Sequence, residues 1–403
     1  MSNNKIYKHK LFEQLVIIGK SLDLTPTQYR LAESRYKAVG KWLSNGEYCL
    51  FGTGKRQCFK DGDIYPQGSI RLETTVKPIG QNEFDIDLVF FTPNISSDNI
   101  TPKFLKELIG NRLKEHETYK NMLTETNRGW CINYADEFHL DITPSLDKQD
   151  EPYNTSELVA DSKLKNYMTA NPKGYSEWFD NSSLVIPVFK MTRELFKSEL
   201  AFSMESRTIN DSVAEIESLP EHEPTKLLLK RFIQIFKRHR DIMFEGKADA
   251  PISVIITTLA TKSYLFCIQN FNYDNEYDLM LDTLKYMKKY IDIKYGLYWI
   301  ENPTINSENF AEKWNEKLIK KRNFDTWHDN CNQFFNKFHI DMGQDVFLDS
   351  IEEGFGRKPT ELIREKYIQK LDDNRKNELI KASATVTATS TPIKAKSNTF
   401  YGE

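Results

Sequence analysis

Cysteine is scarce in this 403-residue sequence: there are five, and no two form a CxxC pair. Cys49, Cys58, Cys131, Cys267 and Cys331 are odd in number and widely scattered. That excludes a disulfide framework and a thiolate zinc site. His328 and Cys331 stand three apart, but with no second pair they read as ordinary residues on a helix. An excess of charge is missing as well, because 55 basic residues nearly cancel 58 acidic ones and leave a formal charge of −3. This argues against a surface coated for long nucleic acids, although it leaves room for a local basic groove. No apolar run approaches the roughly 20 residues of a membrane span. The polar start, MSNNKIYKHK, is followed by no signal-peptide core. Internal repeats are absent too. The expectation is a soluble, cytoplasmic protein with no membrane partner.

What is present is a globular composition, 39% apolar with 25 Phe and 19 Tyr. The length suits two domains or one large two-lobed unit. An opening helix is expected over His9 to Ser21. Thr25-Pro26-Thr27-Gln28 offers a capping box with proline at the first helical position, and starts a second helix. Its apolar stripe includes Leu31, Tyr36, Val39 and Trp42, and Gly46 is its expected stop. Tyr48 to Leu146 reads as mixed α/β: a PQGS turn (Pro66 to Ser69), a strand, a helix near Pro102 to Tyr119, and a hairpin through Asn133 to Ile142. Asp147 to Asn181 reads as irregular. Beyond Leu184 the pattern is helical almost throughout. Helices are expected at Pro187 to Ser206, Pro224 to Phe244, Pro251 to Cys267, Glu276 to Ile291, Glu308 to Phe338 (broken near Asn323) and Pro359 to Lys381. Ala382 to Asn398 is rich in Ser, Thr and Ala, has little to bury and is expected to be disordered.

The chemistry concentrates in two alternating segments, EFDIDL (Glu83 to Leu88) and EFHLDIT (Glu137 to Thr143). On a strand, Phe84, Ile86 and Leu88 share one face while Asp85 and Asp87 share the other. In the second segment Phe138, Leu140 and Ile142 face the core, with His139 and Asp141 outward. Pairing the strands gathers Asp85, Asp87 and Asp141 on one surface, where like charges repel unless a dication holds them. Oxygen-only ligation suits magnesium, and such a cluster beside a phosphate-binding turn is what two-metal phosphoryl chemistry requires. Gly68-Ser69 alone is an ordinary turn. As a phosphate site, its glycine lets the backbone approach a polyphosphate while amides and the serine hydroxyl contact its oxygens. GTGK at Gly52 to Lys55 is no Walker loop, since Cys49 stands where the first glycine belongs and Arg56 replaces Ser/Thr.

The ordered set PQGS, DID and a separate third Asp resembles the DNA polymerase β-like nucleotidyltransferase superfamily. More narrowly, the sequence resembles the bacterial cGAS/DncV-like nucleotidyltransferases (CD-NTases), the oligonucleotide-cyclising enzymes of CBASS antiphage systems. LDLTPTQYRLAESRYKAVGKWLS, PQGSIRLETTVKP, FDIDLV, HLDITPS, LLLKRFIQIFKRHRDIMF, PISVIITTLATKSY and WIENPTINSENFAEKW carry this narrower likeness over roughly residues 20 to 320.

The resemblance implies an α+β fold with two lobes: a mixed-sheet polymerase β-like catalytic core with N-terminal helices over residues 1–180, a helical bundle over 181–381 closing the nucleotide site, and a disordered tail over 382–403. Asp85, Asp87 and Asp141 match its metal-binding triad for two Mg2+ ions, with Mn2+ as the alternative. Gln67, Gly68 and Ser69 match the turn beside the donor triphosphate, and Lys237 and Ser253 match positions against the phosphates. Lys226, Lys230 and Lys237 share one helical stripe opposite Leu229, Phe232 and Phe236, a spacing that on its own describes a solvated helix face. The implied activity is joining of nucleoside triphosphates, ATP among them, into a cyclic second messenger that switches on a downstream effector. An RNA- or protein-modifying nucleotidyltransferase is the alternative with the same triad, and a catalytically dead nucleotide-binding scaffold is the non-enzymatic one. Some relatives are also conjugated through their C-terminus by an E1/E2-like partner, so the resemblance implies either that use or a simple frayed terminus for the Phe400-Tyr401-Gly402-Glu403 end. The His/Cys module with which the animal DNA sensor grips DNA is missing, so no long nucleic acid is expected as activator. Val254 stands after Ser253 where a base-stacking aromatic would otherwise name the base.

Overall fold

The computed structural model describes residues 3–51, 56–59, 63–80, 83–93, 95–135, 137–148, 155–161, 163–187, 189, 226–339 and 343–376. Helices α1 (Asn3–Ser21) and α2 (Pro26–Ser44) are followed by strands β1 (Tyr48–Phe51), β2 (Arg56–Phe59) and β3 (Asp63–Pro66). A one-turn helix, α3 (Gly68–Arg71), then leads into β4 (Phe84–Thr92) and α4 (Pro102–Lys114). Strands β5 (Leu123–Glu125), β6 (Trp130–Tyr134), β7 (Phe138–Asp147), β8 (Glu157–Ala160) and β9 (Tyr167–Ala170) precede α5 (Pro172–Ser183). The second half holds α6 (Leu228–Met243), α7 (Ser253–Asn270) and α8 (Glu276–Lys285). Two small hairpins follow, β10 (Asp292–Lys294) with β11 (Leu297–Trp299) and β12 (Glu301–Asn302) with β13 (Ile305–Asn309). Helices α9 (Glu312–Glu316), α10 (Leu318–Asn336), α11 (Gln344–Phe355) and α12 (Arg357–Lys376) complete the described chain.

The main sheet runs β3-β4-β7-β6-β5, with β8 and β9 extending it from the far half of β7. Among the described residues, β4 and β7 are its only parallel pair. The expected alternation holds on both: Phe84, Ile86, Leu88, Phe138, Leu140 and Ile142 are buried under α2 and α4. The hairpin expected through Asn133 to Ile142 is β6–β7, in which Asn133 lies opposite His139. Helix α2 has the capping box read from its sequence, with the Gln28 backbone N–H donating to Thr25 Oγ1 at 3.2 Å and Thr25 N–H to Gln28 Oε1 at 3.0 Å. Its buried stripe is Ala32, Tyr36, Val39 and Leu43, while Leu31 and Trp42 flank it.

Several expectations need correction. Within Asp147 to Asn181 the described residues form β8, β9 and α5 rather than an irregular stretch, because Val159 and Ala160 find cover on a sheet that local composition does not reveal. Helix α4 stops at Lys114 and a separate 3-10 turn covers Tyr119–Asn121. The stretch from Glu276 bends into a 3-10 turn at Tyr286–Tyr290. Glu308 to Phe338 begins on a strand, and its break falls at Lys317, leaving α10 continuous through Asn323. Helix α11 falls where the sequence pattern announces none. Apart from Pro187 and Phe189, the helix expected over Pro187 to Ser206 lies outside the described residues, as do Gly52 to Lys55, the tail beyond 376 and the start of the helix expected from Pro224.

Two apolar cores divide the molecule, and they do not part at residue 181. One lies between the sheet, α2 and α4. The other joins Leu11, Phe12, Leu15 and Ile18 of α1 and Tyr175 and Phe179 of α5 to Leu229, Phe232 and Phe236 of α6. Helices α1 and α5 thus belong physically to the helical lobe, although they flank the sheet domain in sequence.

Candidate active site

Between the lobes lies a cleft of about 800 Å³. Its floor is one face of the sheet. Because β4 and β7 are parallel and in register, Asp87 lies beside Asp141 and Asp85 beside His139. The buried partners on the opposite face hold this register, since a one-residue slip would turn every apolar side chain outward. The three aspartates therefore share one surface, as their alternation in the sequence predicts.

Gln67 and Gly68 close one end. Gln67 N–H donates to the Asp87 carbonyl at 2.8 Å, which straps the turn to the strand. Gly68 takes φ +64°, and a Cβ there would stand 2.4 Å from Asp87 Oδ2. Only glycine lets the backbone sit against that carboxylate. Ser69 follows, its hydroxyl accepting from Thr75 Oγ1 at 3.3 Å. All three residues line the cleft with Asp85 and Asp87.

Burial first, then the facing Asp141 and Asp85 carboxylates, push the Asp87 carboxyl up to about 7. Asp85 is pushed up by burial and Asp141, while His139 opposes the rise. His139 in turn is ion-paired to Glu83 at 2.6 Å. Cys131 lies opposite Asp141 on β6, and burial together with that carboxylate pushes its thiol up, while the thiol donates to Asn133 Oδ1 at 3.4 Å. Among the described residues no three His, Cys, Asp or Glu side chains form a finished metal cage. The donor chemistry nevertheless fits a hard dication: anionic oxygens alone, on one surface, with proton affinity raised where like charges meet.

From the other lobe α6 presents Lys237 and α7 begins with Ser253, and both line the cleft. Lys237 Nζ donates to Thr74 Oγ1 at 2.9 Å. Burial, aided by Arg240, pushes its amine down to about 7. The Ser253 hydroxyl accepts from Arg240 Nη1 at 3.1 Å. The basic stripe is not a solvated face, because α6 is buried from Leu228 to His239. It divides by function: Lys226 pairs with Asp23 at 2.8 Å and Lys230 with Glu73, leaving Lys237 alone of the three on the cleft. His328 and Cys331 are core residues, His328 Nε2 bonding the Leu284 carbonyl at 2.8 Å. Sequence reasoning does not single out Arg240 or Arg128, which both line the cleft. Arg240 is detectable three residues after Lys237 on one helix. Arg128, in the β5–β6 turn, carries no local signal.

Residues 18–182 match the family model described as the Second Messenger Oligonucleotide or Dinucleotide Synthetase (SMODS) domain. Over 404 aligned positions the chain is 28% identical to a c-di-GMP synthase of Roseivirga ehrenbergii, covering 98% of each. It is 24% identical to the cyclic dinucleotide synthase CdnG of Bradyrhizobium diazoefficiens, covering 84% of this chain and 78% of that one. The solved structure of that CD-NTase in complex with GTP superposes with a TM-score of 0.62 at 18% identity, over 89% of this chain and 97% of that one. Residues 18–182 thus resemble a SMODS domain, in a chain with the two-lobed polymerase β-like fold of the CD-NTases.

Proposed function

We propose that the chain is a cyclic dinucleotide synthase, which joins two nucleoside triphosphates by nucleotidyl transfer and then closes the ring. The observation that carries this reading is the register of β4 and β7, which sets Asp87 beside Asp141 and against Gly68. In each transfer a ribose 3′- or 2′-hydroxyl oxygen bonds to the α-phosphorus of the other nucleotide. The bond from that phosphorus to the bridging oxygen breaks, pyrophosphate leaves, and the hydroxyl proton passes to solvent. Gln67, Gly68 and Ser69 seat the donor's triphosphate tail through backbone and hydroxyl contacts. Lys237, Arg240 and Ser253 approach it from the opposite lobe and hold it in line, so that cleft closure supplies positive charge where negative charge develops. Asp85, Asp87 and Asp141 would hold two Mg2+ ions, or Mn2+, which lower the pKa of the attacking hydroxyl and offset charge on the leaving group.

The finer reading extends to antiphage signalling in the cytoplasm, to a product-activated effector, and to a C-terminus used by an E1/E2-like conjugating enzyme. The likeness to CD-NTases supports the first two, and a Ser/Thr-rich end supports the last. No helix among the described residues is long and apolar enough to cross a membrane. The test is mass spectrometry of products from the four triphosphates with Mg2+. A phosphatase-resistant cyclic product is expected from the native chain. The Asp85→Ala/Asp87→Ala chain should make at least 1,000-fold less, a barrier rise of about 4 kcal/mol. Product that appears only with an RNA primer or an acceptor protein would overturn the proposal.

A further inference from the structure

Beyond the aspartates the cleft floor changes character. On the same sheet face, Asp85 and Asp87 give way to Val89, Asp141 to Thr143, and the neighbouring strands add Val159 and Ala170. Val159 lies opposite Ser145, four residues past Asp141 on β7, or about 13 Å away at the rise of a strand. That is the reach of a nucleoside monophosphate from its phosphate to the far edge of its base. The uncharged side chains that line the cleft there, Val89, Thr143, Val159 and Ala170, suit a flat, uncharged ring.

Above this floor the β12–β13 hairpin brings Glu308, Asn302 and Phe310 to the cleft wall. Phe310 packs edge-on against Tyr175 with ring centroids 5.8 Å apart. Glu308 is half-buried, and Asn302 Nδ2 donates to its Oε2 at 2.6 Å. The Asn302 oxygen accepts from Thr304 N–H and Oγ1, both at 2.9 Å, which fixes the amide so that its nitrogen faces Glu308. Among the described residues no Lys or Arg is ion-paired to Glu308 and its Oε1 receives no hydrogen bond, although Arg128 of the same cleft offsets part of its charge. A carboxylate in a phosphate-binding cleft repels phosphate, so its ligand is a neutral group that donates protons. Guanine presents two parallel donors, N1–H and the 2-amino group, at the spacing of a carboxylate's oxygens. Adenine sets an acceptor, N1, beside its single donor and meets a carboxylate poorly.

We infer that Glu308, oriented by Asn302, reads the Watson–Crick edge of guanine in one of the two base subsites, making GTP a selected substrate. This rests on the nucleotide reading of the cleft given above. The test uses inosine triphosphate, which keeps N1–H but lacks the 2-amino group. Equilibrium binding to the full chain and product formation are each measured with GTP, inosine triphosphate and ATP. The native chain should favour GTP over inosine triphosphate by roughly 10- to 150-fold, the worth of one hydrogen bond to a charged acceptor. Glu308→Gln, whose amide offers one acceptor and one donor, should bring the ratio close to one while thermal unfolding confirms the fold. If the native ratio is already near one, or Glu308→Gln leaves it intact, the assignment falls although cyclic product still forms. If binding discriminates as expected but no product forms with any mixture, the guanine assignment stands and the synthase reading fails.

Discussion

Gly68 is the residue on which the site's geometry turns. Its positive φ and the 2.4 Å that would separate an added Cβ from Asp87 Oδ2 are two separate demands for the absence of a side chain. Gly68→Ala is expected to cost about 1–2 kcal/mol for the left-handed backbone and, by displacing the Asp87 carboxylate, to lower synthesis at least 100-fold. A thermal melt beside a product assay separates the two effects, and a fully active variant would show that Asp87 moves freely. His239 gives a second residue-scale expectation. Its ring packs on Phe334 at 5.0 Å with Nδ1 left unbonded, and burial, with Lys337 nearby, pushes its pKa down from 6.5 to about 4. The unfolded chain takes up this proton near pH 6.5 and the folded chain only near 4. The neutral ring's contribution to stability is therefore complete above pH 6.5 and is lost as pH falls toward 4, about 3 kcal/mol in all. Urea unfolding should show about 2 kcal/mol of that loss between pH 7 and pH 5, and His239→Leu should remove this part of the slope.

At the scale of elements, the one-turn helix α3 is held to the helical lobe by buried charge. Lys230 of α6, 2% exposed, pairs with Glu73 and lies 3.7 Å from Asp180 of α5, which in turn binds Arg71 of α3 at 2.9 Å. Lys230→Met should destabilise the chain by about 3–5 kcal/mol, because it strands carboxylates out of water. The double variant with Glu73→Gln should recover part of that loss in denaturant titrations, and equal losses would mean that the pair is not coupled. This role of Lys230 is not legible in the sequence. A 3.6-residue stripe reports which residues share a face and says nothing about what covers it, so three lysines of one stripe look alike. The strands carrying Asp85, Asp87 and Asp141 are legible because period-two alternation and burial give the same answer there. Strands β8 and β9 are not, since each is four residues long and forms only by pairing, β8 on the far half of β7 and β9 on β8. The β12–β13 hairpin is hidden for the same reason, and Glu308 with it.

The chain enters the helical lobe with α1, builds the sheet lobe from α2 to β9, and returns to the helical lobe at α5. The SMODS match over residues 18–182 therefore marks the sheet lobe without being a self-sufficient folding unit. A fragment ending at residue 182 would expose Leu11, Phe12, Leu15, Ile18, Tyr175 and Phe179, all buried in the whole chain. At about 1.5–3 kcal/mol for each buried side chain, that forfeits about 9–18 kcal/mol, as much as a typical domain's entire stability of about 5–15 kcal/mol. The fragment should consequently aggregate or bind ANS strongly, and co-expression with residues 183–403 should restore a soluble complex. The cleft explains why such sharing suits the chemistry. Lys237 and Ser253 come from the helical lobe, Asp85, Asp87 and Asp141 from the sheet, and α1 and α5 tie the two through a common core. Independent cooperative unfolding of the fragment, at the temperature of the full chain, would show instead that the lobes are separable and that the shared core adds nothing to the site.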